Sequence, residues 1–243
     1  MESSSQTSGH SRGRDCTLVI MAKAPKPGMV KTRLAWCLPP PAVTELYRCL
    51  LDDTMTLAHS LGSVEVAIMC PTSDVDDLAR LAGDAVPVVS QTGEGLAAGL
   101  TSVFAHFAAA GQQRIIAFNS DSPHLPPSVL DKAFEELAAC DVVVGPTHDG
   151  GYYLVGAKAA HPGLFDDDGL GTSNALERLL TRIRSLELSV RLADPFYDID
   201  VASDLIRLDA ELRLSPPRAP RTAAWLAQWR QVVSQLRPGI GDL

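Results

Sequence analysis

The sequence has little of what marks three large classes of protein. Its five cysteines are odd in number, widely spaced and never in a C-x-x-C pair, so neither a disulfide framework nor a zinc knuckle is indicated. No apolar stretch approaches the roughly 20 residues of a membrane-spanning helix. Positive charge is also scarce, because 21 Lys and Arg against 29 Asp and Glu give a net charge of -8, whereas nucleic-acid binding depends on basic side chains. We therefore expect a cytoplasmic protein that binds neither membranes nor nucleic acid.

Several familiar catalytic patterns are missing as well. The chain shows no Ser-His-Asp order, no H-E-x-x-H helix and no Walker loop. Its 243 residues, 46% of them hydrophobic, are enough for one large core. The first 14 residues lack the apolar segment of a signal peptide. We predict a disordered tail over residues 1–14, one folded domain over residues 15–213, and a linker with an amphipathic helix over residues 214–243.

Apolar strands alternate with amphipathic helices along the chain. Strands are predicted at residues 17–22, 64–69, 86–89, 114–118, 141–145, 152–156 and 189–192. Helices are predicted at residues 43–61, 74–81, 96–110, 127–139, 172–184 and 202–212, with a last helix around Trp225 and Trp229. The βαβα rhythm changes after Gly145, which predicts an α/β fold with a mostly parallel, mixed sheet that contains an antiparallel strand.

The loop after the first strand concentrates four cations in an acidic protein, namely Lys23, Lys26, Lys31 and Arg33. Two prolines stiffen the loop, and Gly28 permits close approach to the backbone. We expect the loop to bind an anion, with Lys31 and Arg33 placed to clamp phosphate oxygens. The alternative is a solvated basic loop.

Acidic residues follow the fourth strand and recur far downstream. That strand leads directly into the segment 119–123, which contains Asp121, and Asp198-Ile199-Asp200 lies near the end of the domain. In an open parallel sheet, ligands collect beyond the carboxyl ends of strands. We therefore predict that Asp121 and Asp200 converge and hold Mg²⁺ on a substrate diphosphate. The alternatives are an ordinary turn for the first segment and a helix-capping region for the second.

A turn with paired glycines follows the fifth strand. Gly150 and Gly151 let a ligand approach the backbone, and Tyr152 can stack on a ring. Asp149 can accept a hydrogen bond from a sugar or acceptor hydroxyl and act as its general base. The alternative is a tight hairpin with a capping aspartate.

Four short strings in order carry a resemblance to a known family: AKAPKPGMVKTRL, NSDSPHLP, GPTHDGGYYLVG and DIDVASDL. Over most of residues 16–212 the chain resembles the bacterial radical-SAM/selenodomain-associated transferases, which are glycosyltransferase-like nucleotide-diphospho-sugar transferases. The resemblance implies a GT-A-type fold, a Rossmann-like three-layer αβα sandwich. It also implies Mg²⁺ or Mn²⁺ at Asp121, with Asp200 as a second acidic contributor, and Lys31 and Arg33 at the phosphates.

Two segments depart from that family. Relatives often carry Asp-Leu-Gly-x-Arg after the position of Gln91, whereas this chain has GLAAG at residues 95–99. Relatives also tend to carry Trp-Ser-Thr before the late helix, where this chain has GTSN at residues 171–174. Nucleotide and acceptor identity therefore stay open. The loop from Gln91 loosely resembles the nucleobase-facing loop of phospholactate guanylyltransferases, which implies a substrate contact for Gln91.

These observations predict a metal-dependent glycosyltransferase with a nucleotide-sugar donor and a small acceptor. The predicted roles are catalysis for Asp121 and Asp149, binding of Mg²⁺ or Mn²⁺ for Asp121 and Asp200, and substrate contacts for Lys23, Lys31, Arg33, Gln91, Gly150, Gly151 and Tyr152. Two alternatives stay open: a nucleotidylyltransferase that releases pyrophosphate from a nucleoside triphosphate, and a catalytically weakened nucleotide-binding protein. The C-terminal helix packs on the core or on a second subunit, so a homodimer also stays open.

Overall fold

The strands form at the apolar runs, which are buried on both faces. A computed structural model describes residues 15–166, 169–172, 174–214 and 218–236; the tail predicted over residues 1–14 lies outside these ranges. The described residues form seven strands: β1 (Cys16–Met21), β2 (Glu65–Cys70), β3 (Val88–Ser90), β4 (Arg114–Asn119), β5 (Val142–Pro146), β6 (Tyr152–Ala157) and β7 (Val190–Leu192). They build one sheet in the order β3-β2-β1-β4-β6-β5-β7.

The sheet contains the antiparallel strand that the sequence predicts. β6 pairs antiparallel with both β4 and β5, whereas every other pairing is parallel. Leu18 and Ile20 of β1 pack into one core cluster and Val19 into another, which is why this strand is apolar throughout. The carboxyl ends of the six parallel strands and the start of β6 share one edge, called the carboxyl edge below.

Seven α-helices lie within the described ranges: α1 (Pro40–His59), α2 (Val75–Ala82), α3 (Gly95–Ala109), α4 (Pro127–Glu136), α5 (Ala175–Ser185), α6 (Ala202–Leu214) and α7 (Pro220–Val233). Side chains of α1, α2 and α4 share a core cluster on one face of the sheet, and those of α3 and α5 share another on the opposite face. The three-layer αβα sandwich is therefore confirmed. In the described ranges, no helix combines the length and the apolar character needed to cross a membrane.

Predicted and observed element ends differ by a few residues, for local reasons. β3 begins at Val88 rather than Val86, because Pro87 has no N–H to donate to the ladder and contributes only its carbonyl, to Ile68. α4 ends at Glu136 rather than Ala139. The N–H groups of Ala138 and Ala139 bond to carbonyls three residues back, so the last turn tightens.

The C-terminal helix α7 packs on the protein's own core, which is one of the two alternatives left open by the sequence. Its Trp225 and Leu226 share a buried cluster with Leu46 of α1. The carboxylate of Asp53, also on α1 and 2% exposed, accepts hydrogen bonds from the first-turn N–H groups of α7, at 3.1 and 2.7 Å. A side chain distant in sequence thus caps the helix.

Candidate active site

Three segments meet at the carboxyl edge, and hydrogen bonds join two of them. The Ile199 N–H donates to the Asp121 carbonyl at 3.0 Å, and the Ser122 hydroxyl donates to the Tyr197 carbonyl at 3.2 Å. Ile199 and Ser122 are fully buried, so these contacts hold two acidic segments side by side. The segments are the β1 loop (residues 22–39), the β4 loop (residues 120–126) and the β7 segment (residues 193–201).

Asp121 and Asp200 come together around a lysine. The Lys31 Nζ lies 2.9 Å from Asp121 Oδ2 and 3.4 Å from Asp200 Oδ1. The Arg33 Nη1 lies 3.0 Å from Asp200 Oδ2. The predicted convergence of the two carboxylates with the cations of the β1 loop is therefore present, and one ammonium group lies between the carboxylates.

The Lys31 ammonium is held inside the protein by its backbone and its neighbours. Its side chain is 5% exposed. Burial by itself lowers the pKa of Lys31, but Asp121 and Asp200 outweigh it and raise the pKa above the ordinary lysine value. The backbone of Lys31 is left-handed, with φ 48° and ψ 42°, which costs a non-glycine residue about 1–2 kcal/mol. The buried residues Val30 and Leu34 flank it and hold that conformation.

Asp198 is a third carboxylate at this place and is missing from the predicted ligands. Burial raises its pKa to about 6, Lys31 opposes the rise, and the carboxylates of Asp121 and Asp149 add to it. The sequence offered one signal for including Asp198, namely the alternation of acidic and apolar residues in Asp198-Ile199-Asp200. Because Ile199 is fully buried, Asp198 and Asp200 lie together on the opposite side of the chain. Asp121, Asp198 and Asp200 are called the acidic cluster below.

The residue that caps helix α6 near this cluster is Asp204. The carboxylate of Asp204 accepts the N–H groups of Asp200 and Val201, at 2.9 and 2.8 Å, just before α6 begins. The capping interpretation of the downstream segment therefore applies to Asp204. Asp200 faces Lys31 and Arg33 instead.

The remaining cations of the β1 loop have different surroundings. The Lys26 Nζ lies 2.6 Å from Asp74 Oδ1 and 3.2 Å from Asp77 Oδ2, and Asp74 also accepts the Ala24 N–H at 2.9 Å. Lys26 therefore anchors the loop to the residues that follow β2. Lys23 is exposed on the same loop.

A buried tyrosine connects the β1 loop to the β4 loop. The Tyr47 hydroxyl, on α1, accepts the Lys23 N–H at 3.1 Å and lies 3.0 Å from the Ser120 hydroxyl. Ser120 in turn donates to Asp121 Oδ1 at 3.3 Å, so Tyr47 must donate to Ser120. Burial raises the pKa of Tyr47 to about 12, with the Asp121 charge adding to the rise, and the hydroxyl keeps its proton for this chain of bonds.

The turn between β5 and β6 is a hairpin in which one carboxylate oxygen of Asp149 accepts hydrogen bonds. Asp149 Oδ1 accepts the Thr147 hydroxyl at 2.5 Å and the Gly151 N–H at 3.2 Å. A Cβ at Gly151 would lie 2.8 Å from the Thr147 hydroxyl oxygen, so the turn has no room for a side chain there. Gly150 has φ 90°. The Tyr152 hydroxyl donates to the Leu170 carbonyl at 3.2 Å, within the core of the α3 and α5 face.

Gln91 organises the loop that follows β3. Its side-chain Nε2 donates to the carbonyls of Gly93 and Gly95, at 2.9 and 3.4 Å. A Cβ at Gly99 would lie 2.9 Å from Gln91 Oε1 and 2.8 Å from the Met21 methyl carbon. Gly99 thus leaves space for the Gln91 side-chain amide.

Two cavities lie near these loops. A cavity of about 190 Å³ adjoins the acidic cluster and is lined by Arg33, Thr147, His148, Asp149, Tyr197, Asp198, Asp200, Val201, Asp204 and Arg207. A larger one, about 750 Å³, runs along the outer side of α3 and is lined largely by small side chains. The larger cavity contains no residue of the acidic cluster, so we assign the candidate site to the smaller one, where the charges converge.

The residues present fit a divalent cation of the Mg²⁺ type. Among the described residues, no three Asp, Glu, His or Cys side chains are arranged to hold a metal ion together. Mg²⁺ at a nucleotide usually takes only one or two protein carboxylates, with phosphates and water completing its shell. Asp121 and Asp200 supply such a pair, and both already face the ammonium of Lys31.

Comparison with known proteins agrees with this fold. Residues 54–172 match a family model described as "Uncharacterized protein conserved in bacteria" (DUF2064). The crystal structure of a provisionally assigned nucleotide-diphospho-sugar transferase from Desulfovibrio desulfuricans G20 is similar at a TM-score of 0.85 and 25% identity. The similarity covers 91% of this chain and 97% of that one.

Two further structures share the fold at lower identity. A nucleotidyl transferase from Methanothermobacter has a TM-score of 0.57 at 22% identity, over 84% of this chain and 100% of that one. The 4-diphosphocytidyl-2C-methyl-D-erythritol synthase from Anaerococcus prevotii has a TM-score of 0.55 at 12% identity, over 84% and 99%. The chain therefore has an α/β fold found in nucleotide-diphospho-sugar and nucleotidyl transferases, and about half of it matches the DUF2064 family.

Proposed function

We propose that the chain transfers a sugar from a nucleotide-diphospho-sugar to a small acceptor, with Mg²⁺ or Mn²⁺ at the donor diphosphate. The observation that carries this proposal is the meeting of Lys31 and Arg33 with Asp121 and Asp200 at the carboxyl edge. A metal-bound diphosphate requires cationic side chains for its oxygens and carboxylates for the ion, within a few ångströms of each other. The similarity to the Desulfovibrio structure supports the donor class.

Each group at the site has a proposed task. Lys31 and Arg33 bind oxygens of the donor diphosphate, and the exposed Lys23 adds a cation on the same loop. Asp121 and Asp200 are the residues that would hold the divalent ion. When bound, that ion supplies charge neutralisation for the leaving diphosphate. Tyr47, acting through Ser120, keeps the Asp121 carboxylate oriented.

The small cavity is proposed to take the acceptor. Its volume of about 190 Å³ lies below the roughly 300–1,000 Å³ typical of drug-sized ligands, so it suits a small molecule better than a whole nucleotide-sugar. The Asp149 carboxylate lines this cavity. We propose that it orients the acceptor hydroxyl and accepts its proton as the oxygen attacks the sugar carbon and the bond to the diphosphate breaks.

Thermal-shift screening of nucleoside diphosphates and triphosphates, with and without Mn²⁺, tests this proposal. Binding at a hundred times Kd stabilises a protein by about 2.7 kcal/mol, which corresponds to a shift of about 5–10 °C for a chain of this size. We expect such a shift with a diphosphate only when Mn²⁺ is present. We also expect release of the nucleoside diphosphate from the matching nucleotide-sugar once an acceptor is added.

Two variants that each remove one negative charge distinguish a specific role of Asp121 from a general effect of charge on the protein. Asp121→Asn should lose the Mn²⁺-dependent shift, whereas Asp131→Asn, at an exposed position of α4, should keep it. Stabilisation by triphosphates alone, with release of pyrophosphate, would instead identify a nucleotidylyltransferase. Binding that needs no metal and survives Asp121→Asn would identify a binding protein without turnover.

A further inference from the structure

Lys31 lies where the proposed divalent ion would bind, between two carboxylates from distant parts of the chain. We propose that Lys31 acts as an internal cation that keeps the metal site closed until nucleotide phosphates draw its ammonium away. Metal and nucleotide then bind as a pair, and neither binds well alone. This inference rests on the proposed function, because it concerns the order in which the ligands of that same site bind.

The contacts of Lys31 put it in direct competition with a metal ion. Its Nζ is within 2.9 Å of Asp121 Oδ2 and 3.4 Å of Asp200 Oδ1. These are oxygens of the two carboxylates that would hold the ion. An ammonium and a divalent cation repel each other strongly at such separations in a partly buried site, so the carboxylate pair can serve one of them at a time.

The geometry of the β1 loop lets the ammonium move while the backbone stays in place. Val30 and Leu34 are buried on either side of Lys31 and fix the chain there. The left-handed backbone of Lys31 aims its side chain inward from a loop whose neighbouring residues Gly28 and Met29 are exposed. Four rotatable side-chain bonds can therefore redirect the ammonium towards phosphates at the exposed side of the loop.

The charges at the site favour replacement of the Lys31 ammonium by a divalent ion once phosphates are bound. Lys31 pairs with Asp121 and Asp200, and Arg33 pairs with Asp200, so drawing either cation away leaves negative charge less compensated. Donor phosphates attract both cations. Once they engage Lys31, the carboxylates of Asp121 and Asp200 favour a divalent ion in its place. By thermodynamic reciprocity, the bound ion must then raise the affinity for the nucleotide by the same factor.

Mn²⁺ binding to the intact chain without nucleotide tests this inference, with the free Mn²⁺ signal in electron paramagnetic resonance as the readout. Lys31→Met removes the competing charge, and Lys31→Gln does so while keeping a group that can hydrogen-bond to the carboxylates. We expect both variants to bind Mn²⁺ about tenfold more tightly than the wild type, within the usual range of coupling between ligands. Lys132→Met, at an exposed position of α4, should bind Mn²⁺ as the wild type does.

The coupling itself provides the second readout. A nucleoside diphosphate that shifts the melting temperature of the wild type should raise its Mn²⁺ affinity, and this increase should be smaller in Lys31→Met and Lys31→Gln, where only direct contact between the ion and the phosphates couples the two ligands. Equal Mn²⁺ affinity in the wild type and both Lys31 variants, or weaker binding in the variants, would overturn the inference. If no nucleotide stabilises any of these proteins, the proposed function fails, while the Mn²⁺ comparison still decides the role of Lys31.

Discussion

Acidification should destabilise this protein through one buried histidine. His124 lies in the β4 loop, three residues after Asp121, and is 3% exposed. Its ring lies 4.8 Å from that of Phe196 and 4.5 Å from that of Tyr197. Within the described part of the chain, neither ring nitrogen has a hydrogen-bond partner. Burial, with smaller contributions from nearby arginines, lowers the pKa of His124 to about 3.

The size of the effect follows from the two protonation equilibria. The unfolded chain binds a proton at His124 below a pKa of about 6.5, whereas the folded protein binds one only near pH 3. Between these values the unfolded state carries the extra proton, so stability falls as the pH falls. At about 1.4 kcal/mol per pH unit, the contribution of His124 should lower the free energy of unfolding by about 2 kcal/mol between neutral pH and pH 5.

Urea unfolding at pH 7 and pH 5 measures this loss, with His124→Phe as the comparison. Phenylalanine keeps a ring between Phe196 and Tyr197 and has no nitrogen to protonate. Asp198 has the opposite effect on stability. Its pKa is raised in the folded protein, so the folded state binds a proton there more readily than the unfolded chain does and gains stability as the pH falls. The contributions of Asp198 and other titratable groups cancel when the loss of stability in the variant is subtracted from the loss in the wild type. An equal loss of stability on acidification in both proteins would refute the role given to His124.

The remaining predictions concern positions that support the site. Asp53→Ala removes the acceptor of two first-turn N–H groups of α7 and should lower the free energy of unfolding by about 1–3 kcal/mol; Asp53→Asn, which keeps one acceptor oxygen, should lower it less in the same denaturant titration, and equal losses would contradict the capping role. Tyr47→Phe breaks the chain of bonds to Ser120 and should cost about 1 kcal/mol of stability. It should also weaken Mn²⁺-dependent nucleotide binding in the thermal-shift assay, and unchanged binding would exclude an orienting role for the Tyr47 hydroxyl.

The position of Asp121 at the carboxyl edge could be predicted because the ends of parallel strands share that edge, whereas Asp200 lies well beyond the end of β7 and is placed by the hydrogen bond of Ile199 to the Asp121 carbonyl. Asp121 follows a strand that reads as buried on both faces, and the sheet then fixes where its loop emerges. The antiparallel β6 was likewise indicated by the broken rhythm after Gly145. In both cases the information is local, since alternation and apolar runs determine which elements form and which ends coincide.

The pairing of individual charges could not be predicted. Lys31 reaches the acidic cluster through a left-handed backbone that few lysines adopt, and nothing in the sequence marks such a conformation. Lys26 is taken up by Asp74 because β2 is the sheet neighbour of β1, which depends on strand order. The contact between Asp53 and α7 joins residues 168 positions apart in the sequence, so the hydrophobic periodicity of neither helix could indicate it.

The reversed direction of β6 has a consequence for how the shape of the small cavity can change. A parallel strand in that position would need a long crossover connection before it, and no short turn at the carboxyl edge would then join it to β5. Here the five-residue loop 147–151 carries Asp149 to the small cavity, and the length of this loop helps to set the register of β5 against β6. Side-chain substitutions within this loop would therefore reshape the small cavity while leaving the seven strands paired as they are, whereas insertions or deletions would also shift the register of β5 against β6.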